Sequence, residues 1–399
     1  MIVLAGADLV LPGRVLHGGT LIIDAGRIVA IEPRIVDGPE AATRIDLSGH
    51  VIVPGFIDVH VHGVEGIDVL DGAAAVAAVA RRLPRYGVTA FCPTSVACEP
   101  AALSTLLASV SAAQQQAPVQ SSRVLGAHLE SNFINPEWKG AQPAGCLRVP
   151  LSKAESQRQK ADGEFTGRDI LAVIARHRSG IGIITLAPEL PGGIDLVREL
   201  VAAGHRVSIG HTGATYEQAR DAIAAGVSQA THLFNRMSPI TARSPGVVGA
   251  VLESDAVAAE IICDAFHVHP SLVALAVRAK STRLVMAITD GTAGSGLPAG
   301  SRARLGSQSI VVTEKSALLE DGTLAGSILT MDGAFRMLVE RLGLALPEAA
   351  RMCASTPAER LGLADCGRLE AGLLADLTVL DAGLRVRQTY VSGAPALEH

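Results

Sequence analysis

The chain has 399 residues, of which 48% are hydrophobic and 18% charged, and its formal net charge is −5. That length exceeds one ordinary small domain and suits a large α/β barrel with a satellite, with ample apolar material for a core. The acidic balance and an aromatic content of 3% argue against a duplex-binding surface or stacking on nucleic-acid bases, while leaving room for a local basic pocket that takes a small anion.

Residues 1 to 53 read as short strands over 2–4, 20–23 and 27–31, punctuated by Pro12-Gly13, Gly18-Gly19 and Asp24-Ala25-Gly26. The first residues show neither a basic n-region nor a cleavage pattern, so no secretory signal is expected. The longest apolar run, 73–80, stops at Arg81-Arg82, far short of a membrane span.

After Pro54 the pattern becomes strands alternating with Ala-rich helical stretches. Strands are expected over 56–60, 88–91, 124–130, 181–186, 207–210, 230–234, 259–263 and 284–289. Helices are expected over 72–85, 100–116, 193–203, 215–225 and 271–279. About eight βα units predict a (β/α)8 TIM-type barrel. From Cys366 onward β character returns, with strands over 375–380 and 387–391. The two chain ends are therefore expected to pair into one small β-sandwich-like domain, 1–53 plus 356–396, beside a barrel of 54–355. Residues 397–399 read as a tag remnant. The six cysteines form no C-x-x-C pair and read as reduced, mostly buried thiols of a cytoplasmic protein.

In such a barrel, catalytic groups sit at the C-terminal ends of strands. Five expected strand ends carry metal-type ligands: His60 with His62, Glu130 beside His128, His211, His232 and Asp290. His60 and His62 share a face because strand side chains alternate. One strand-end histidine is usually structural. Five such ends together point to Zn²⁺ or another first-row divalent ion. An ion with an open position lowers the pKa of its water to roughly 7. A further carboxylate then takes the proton and passes it to a leaving amine. Asp290, which ends a strand before Gly291, is the expected acid/base; a further metal ligand or a helix N-cap are its alternative readings. The implied chemistry is hydrolysis of a C–N bond. His17, His50, His177 and His205 fall on turns or helices and receive no role.

The stretches 54–62, 128–130, 185–189, 210–216, 231–237, 245–249, 264–268, 289–291 and 324–331, with the split β domain, resemble the amidohydrolase superfamily. Within it they resemble the N-acetylglucosamine-6-phosphate deacetylase family, over nearly the whole chain and in the same order. The resemblance implies a first metal on Glu130, His211 and His232. It implies a second on His60 and His62, with Glu130 bridging and Asp290 contributing, and Asp290 as acid/base. It implies that Asn235 and Arg243 hold the sugar phosphate, Arg243 reaching over from the other subunit of a homodimer, and that His267 contacts the sugar or the amide carbonyl. On its own Arg243 reads as a solvated loop charge, although a guanidinium suits a phosphate through two parallel hydrogen bonds.

Three departures from the family's usual pattern stand out. Ser131-Asn132 stands for Gly-Pro, Gln142 for a sugar-contacting histidine, and Arg236 for a small residue after the phosphate-binding Asn. Arg236 either adds a candidate phosphate contact or crowds a backbone amide used for that purpose. The implied reaction removes the acetyl group of an amino sugar 6-phosphate, N-acetylglucosamine 6-phosphate first among them. Alternatives are another N-acyl amino sugar, an N-acyl amino acid or a cyclic amide. The last group often uses a bridging lysine, and Glu130 fills that slot here. A non-catalytic protein that kept the barrel is the remaining alternative.

Overall fold

A computed structural model describes residues 1–37, 41–116, 120–150 and 165–396. The expected tag remnant at 397–399 lies outside them. The chain opens with β1 (Ile2–Leu11), β2 (Arg14–Asp24), β3 (Arg27–Glu32), β4 (Thr43–Asp46) and β5 (Val51–Pro54). The β1–β2 turn closes on Pro12-Gly13, where Gly13 has φ of 79°, a conformation glycine adopts without steric cost. β1 runs antiparallel to β2 and parallel to β4 and β5.

The barrel strands follow. They are β6 (Phe56–Val61), then a ribbon of β7 (Gly63–Val64) and β8 (Ile67–Asp68), β9 (Val88–Ser95), β10 (Arg123–Val124), β11 (Ala127–Leu129), β12 (Ile181–Leu186), β13 (Arg206–Ile209), β14 (Gln229–Ala230), β15 (Ala258–Ile262) and β16 (Val285–Ile288). They pair parallel in the order β6-β9-β11-β12-β13-β14-β15-β16, with β10 also on β9. The circle closes where the Asp290 N–H donates to the His60 carbonyl at 2.9 Å and Val61 bridges Gly291. Every residue of β6, β9 and β15 is buried. That is the pattern of parallel strands with a filled barrel inside and helices outside. The helices include Ala75–Arg82, Pro100–Gln115, Gly193–Ala202, Tyr216–Ala224, Gly246–Glu253 and Pro270–Lys280. A capping box of Thr215 and Gln218 starts the fourth of these. No helix of the described residues is long and apolar enough to cross a membrane.

A ribbon of β17 (Arg302–Leu305), β18 (Gln308–Val312) and β19 (Ala317–Leu318) follows the barrel. The helix Thr356–Leu361 packs on β6 and β16, so the barrel's own contacts extend past residue 355. Then β20 (Leu377–Leu380), β21 (Val386–Val391) and β22 (Ala394–Pro395) return to the first sheet. β20 pairs antiparallel with β5, giving one eight-stranded sheet in the order β22-β21-β20-β5-β1-β2-β3, with β4 on β1. The sheet encloses its own core, including Leu4, Leu9, Leu21, Ile52, Leu377 and Tyr390.

Arg123 of β10 ties the two parts together. It donates to Asp376 Oδ2 at 2.8 Å, and Asp376 is only 3% exposed. Burial pushes the Asp376 carboxyl up against the pull of Arg123. Arg123→Ala would leave that carboxylate the Ser392 N–H at 2.7 Å but no counter-charge, and losing one partner of a buried pair costs about 3–5 kcal/mol. Because Arg123 keeps 25% side-chain exposure, the lower end, about 3 kcal/mol, is expected. Urea unfolding measures it, and a wild-type midpoint would show the pair to be incidental.

Candidate active site

The site forms where the barrel strands end. His60 lies in β6 with His62 just past it, and Glu130 directly follows β11. His211, His232 and Asp290 each stand two residues beyond β13, β14 and β16. These last three have φ of 48°, 32° and 49°, left-handed values that cost a non-glycine residue about 1–3 kcal/mol each. The turns swing the side chains from the strand ends into the barrel mouth. Main-chain bonds hold Asp290: its N–H reaches His60, and its carbonyl accepts from Ser327 at 2.7 Å. Gly326 lies against that carbonyl, where a Cβ would come within 2.8 Å.

Six buried side chains converge in two groups joined by Glu130. Nε2 of His211 and of His232 lie 2.7 and 2.8 Å from Glu130 Oε1 and 3.0 Å from each other. Nε2 of His60 and of His62 lie 3.3 Å apart, and 3.4 and 3.2 Å from Asp290 Oδ1. Glu130 Oε2 is 3.5 Å from His62 Nε2. Behind this cluster the other ring nitrogens are anchored. His62 Nδ1 donates to the Thr94 carbonyl at 3.0 Å and His211 Nδ1 to the Trp138 carbonyl at 2.8 Å. A carbonyl only accepts, so Nδ1 carries the proton and a neutral ring turns its Nε2 lone pair inward. His60 Nδ1 is 3.0 Å from Glu260 Oε2.

Imidazole lone pairs that face each other at 3.0 and 3.3 Å need a proton or a cation between them. Two nitrogens on one tetrahedral ion, with bonds of about 2.0–2.1 Å, stand roughly 3.3 Å apart. The donor set of His60, His62 and Asp290 with Glu130, His211 and His232 therefore fits a first-row divalent ion. Without an ion, the charges have to balance through protons. Burial works against charge on His62, yet Asp290 and Glu130 raise it to about 9. Burial likewise opposes His232, and Glu130 raises it to about 9. Burial takes His60 down to about 4 against Asp290 and Glu130. Burial would raise Glu130, but His211 and His232 hold it well below its ordinary value. Asp290 is lowered in the same way, His60 and His62 outweighing burial.

Two buried residues sit one layer below. His128, grouped with the strand-end ligands from sequence, does not join the cluster. Its Nδ1 donates to the Val59 carbonyl at 3.0 Å, and its Nε2 meets Thr185 Oγ1 at 2.8 Å. Glu260 was missed by sequence reasoning because it lies within an apolar strand. The available signal was the carboxylate itself, in the middle of a strand expected to be fully buried.

The cavity above the cluster is lined by His62, Glu130, His211, His232 and Asp290, and by Gln142, Asn235, Arg236 and His267. Asn235 Nδ2 and His267 Nε2 are buried without a hydrogen-bond partner among the described residues. Asp264 turns the His267 ring, accepting from Nδ1 at 2.6 Å. Gln142 lines the cavity, but both ends of its amide are engaged. Its oxygen accepts the Ala97 N–H at 2.7 Å and its NH2 donates to Glu130 Oε2. Each end keeps one lone pair or N–H over, so a sugar contact by Gln142 has to share an amide already oriented by these two bonds. Arg236 stands exposed at the rim, over Gly140, with no carboxylate in salt-bridge reach among the described residues. Arg243 lies on the exposed loop 241–245, away from the cavity lining of its own chain.

Residues 51–396 match the amidohydrolase family. The N-acetylglucosamine-6-phosphate deacetylase of Lysinibacillus sphaericus is 34% identical over 375 residues, 92% of this chain and 90% of that one. The N-acetylgalactosamine-6-phosphate deacetylase of Escherichia coli O157:H7 is 34% identical over 377 residues, 94% of this chain and 93% of that one. The crystal structure of N-acetylglucosamine-6-phosphate deacetylase from Pasteurella multocida superposes with a TM-score of 0.88 at 29% identity, covering 99% of each chain. The barrel with its terminal sheet, the ligand-rich strand ends and these matches lead to one conclusion: the chain belongs to the amidohydrolase family, among the N-acetylglucosamine-6-phosphate deacetylases and their relatives, and is a metal-dependent hydrolase.

Proposed function

We propose that the protein hydrolyses the N-acetyl group of N-acetylglucosamine 6-phosphate, releasing acetate and the free amino sugar phosphate. The observation that carries this reading is the double donor cluster at the floor of a cavity whose wall presents Asn235 Nδ2 and His267 Nε2, both unpartnered among the described residues. Glu130, His211 and His232 would hold a first ion, and His60 and His62 a second to which Glu130 and Asp290 would contribute. Nitrogen-rich, borderline-soft donors favour zinc. A bound divalent ion supplies a Lewis acid for the amide carbonyl and brings the pKa of water down to roughly 7. Asp290 takes the proton of the attacking water on its carboxylate and gives it to the amide nitrogen as the C–N bond breaks. His267 faces the sugar or the acetyl carbonyl.

Asn235 and Arg236 meet the phosphate from the same chain, and Arg243 meets it from a second copy. A homodimer is supported by the place of Arg243 outside its own cavity and by the exposed Ile240, Phe266, Leu272 and Leu275. The chemistry lies in the barrel of 54–355, and among the described residues none of 1–53 or 356–396 lines the cavity. Six free cysteines support a reducing, cytoplasmic setting.

The same reaction on N-acetylgalactosamine 6-phosphate is the second reading. It is favoured by Gln142, whose amide, oriented by Ala97 and Glu130, stands where the resembled family has a sugar-contacting histidine. Assay of N-acetylglucosamine, N-acetylgalactosamine and N-acetylmannosamine, each with and without 6-phosphate, separates the readings. The glucosamine phosphate should give the highest kcat/KM. Removing the phosphate should lower it by at least about 10–100-fold, the worth of a single charge-assisted hydrogen bond of roughly 1.5–3 kcal/mol, because several groups meet it. Arg236→Ala and Arg243→Ala should each shrink that preference through KM. Hydrolysis of N-acyl amino acids, with none of the sugars turned over, would overturn the proposal.

A further inference from the structure

We propose that Glu260 is the positioning residue for the His60 half of the site, fixing the His60 ring so that Nε2 faces the ion position. β15 reads Ala-Ala-Glu-Ile-Ile and is wholly buried, so a carboxylate in its middle is costly unless something holds it. Glu260 is 0% exposed, and its Oε2 is 3.0 Å from His60 Nδ1. Its other oxygen has no hydrogen-bond partner among the described residues. That oxygen is 3.9 Å from His128 Nδ1, which already donates to the Val59 carbonyl at 3.0 Å. Of the two imidazoles beside Glu260, only His60 has an Nδ1 left to bind it.

The four cluster histidines are therefore supported unequally. Main-chain carbonyls anchor His62 and His211, and His232 Nδ1 has no partner among the described residues. Only His60 leans on a carboxylate, the acceptor that both locks the ring and raises the basicity of its outer nitrogen. The main chain of Glu260 serves the other half of the site, since its carbonyl accepts from Leu233 N–H at 2.7 Å, next to His232. Truncating the side chain spares that bond, so the two halves of the site should respond differently.

The readout rests on the two-ion reading above, and wild type measured in parallel tests that reading by itself. Wild type, Glu260→Ala and Glu260→Gln are loaded with Zn²⁺, desalted and analysed for bound metal, and each affinity is measured by competition with a chelator. Wild type should hold an ion in each half. Glu260→Ala should keep the Glu130–His211–His232 ion at wild-type affinity and bind the other about 10–100-fold more weakly, the usual effect of losing a metal-supporting partner. Glu260→Gln, whose amide oxygen still accepts from Nδ1–H, should fall between. Unchanged affinity of both ions in folded Glu260→Ala would overturn the proposal, as would equal weakening of both. If the alanine variant does not fold, Glu260→Gln decides by the same criteria. If wild type holds an ion in one half only, the two-ion reading fails, and the imidazole ¹⁵N spectrum of the zinc-loaded protein decides the role of Glu260. A His60 Nδ1–H in wild type that shifts in Glu260→Gln supports it, and an unprotonated or unshifted Nδ1 overturns it.

Discussion

Asp290→Asn should lower kcat by about 10²–10⁴-fold, the range contributed by a positioned general acid/base. Asparagine keeps the size of the side chain but can neither take a proton from water nor give one to nitrogen. The backbone should stay in place, because the bonds that close the barrel at this residue use its N–H and carbonyl. The ion on Glu130, His211 and His232 should remain, since none of those contacts involves Asp290. Steady-state kinetics with metal analysis reads both quantities. A variant with wild-type metal content and a rate within a few fold of wild type would remove Asp290 from the chemistry and leave it a ligand only.

His211→Ala should abolish the first ion and with it nearly all turnover. His211 Nε2 lies 2.7 Å from Glu130 Oε1 and 3.0 Å from His232 Nε2, so one truncation removes a third of that donor set. Metal assistance is worth several kcal/mol of transition-state stabilisation, about 10³-fold or more in rate. The paired change His60→Asn with His62→Asn should cost less, sparing the first ion while emptying the second position. Metal content and kcat of the two proteins separate the halves. Full metal content and full rate in the His60/His62 variant would make that pair structural.

Much of this arrangement was legible in the sequence, and the failures have physical causes. Apolar runs bounded by turn residues located each barrel strand, since strands buried on both faces have little else in them. The strand expected over 230–234 ends at Ala230 because the chain turns left-handed at His232 and Phe234 to present the histidine. The strand expected over 124–130 breaks into β10 and β11 around Gly126. There β12 comes so close that a Cβ would lie 2.6 Å from Gly182 N. The helix Thr356–Leu361 is too short for its periodicity to show that it packs on the barrel.

At the site, the side chains that converge were readable because chemistry-bearing residues stood at strand ends. What holds them was not. The carbonyls of Thr94 and Trp138 that fix His62 and His211 have no side-chain signature. The Gln142 amide is fixed by Ala97, a residue far from it in sequence, so its engagement with Glu130 appears only once the loops are folded. Glu260 was hidden by the apolar neighbours that bury it.

The most direct test is acetate release from N-acetylglucosamine 6-phosphate by the wild-type protein before and after chelator treatment, and again after Zn²⁺ is restored. Release that stops on removing the metal and returns on adding it is the predicted result. Undiminished release from metal-free protein, or no release after zinc is restored, would contradict it.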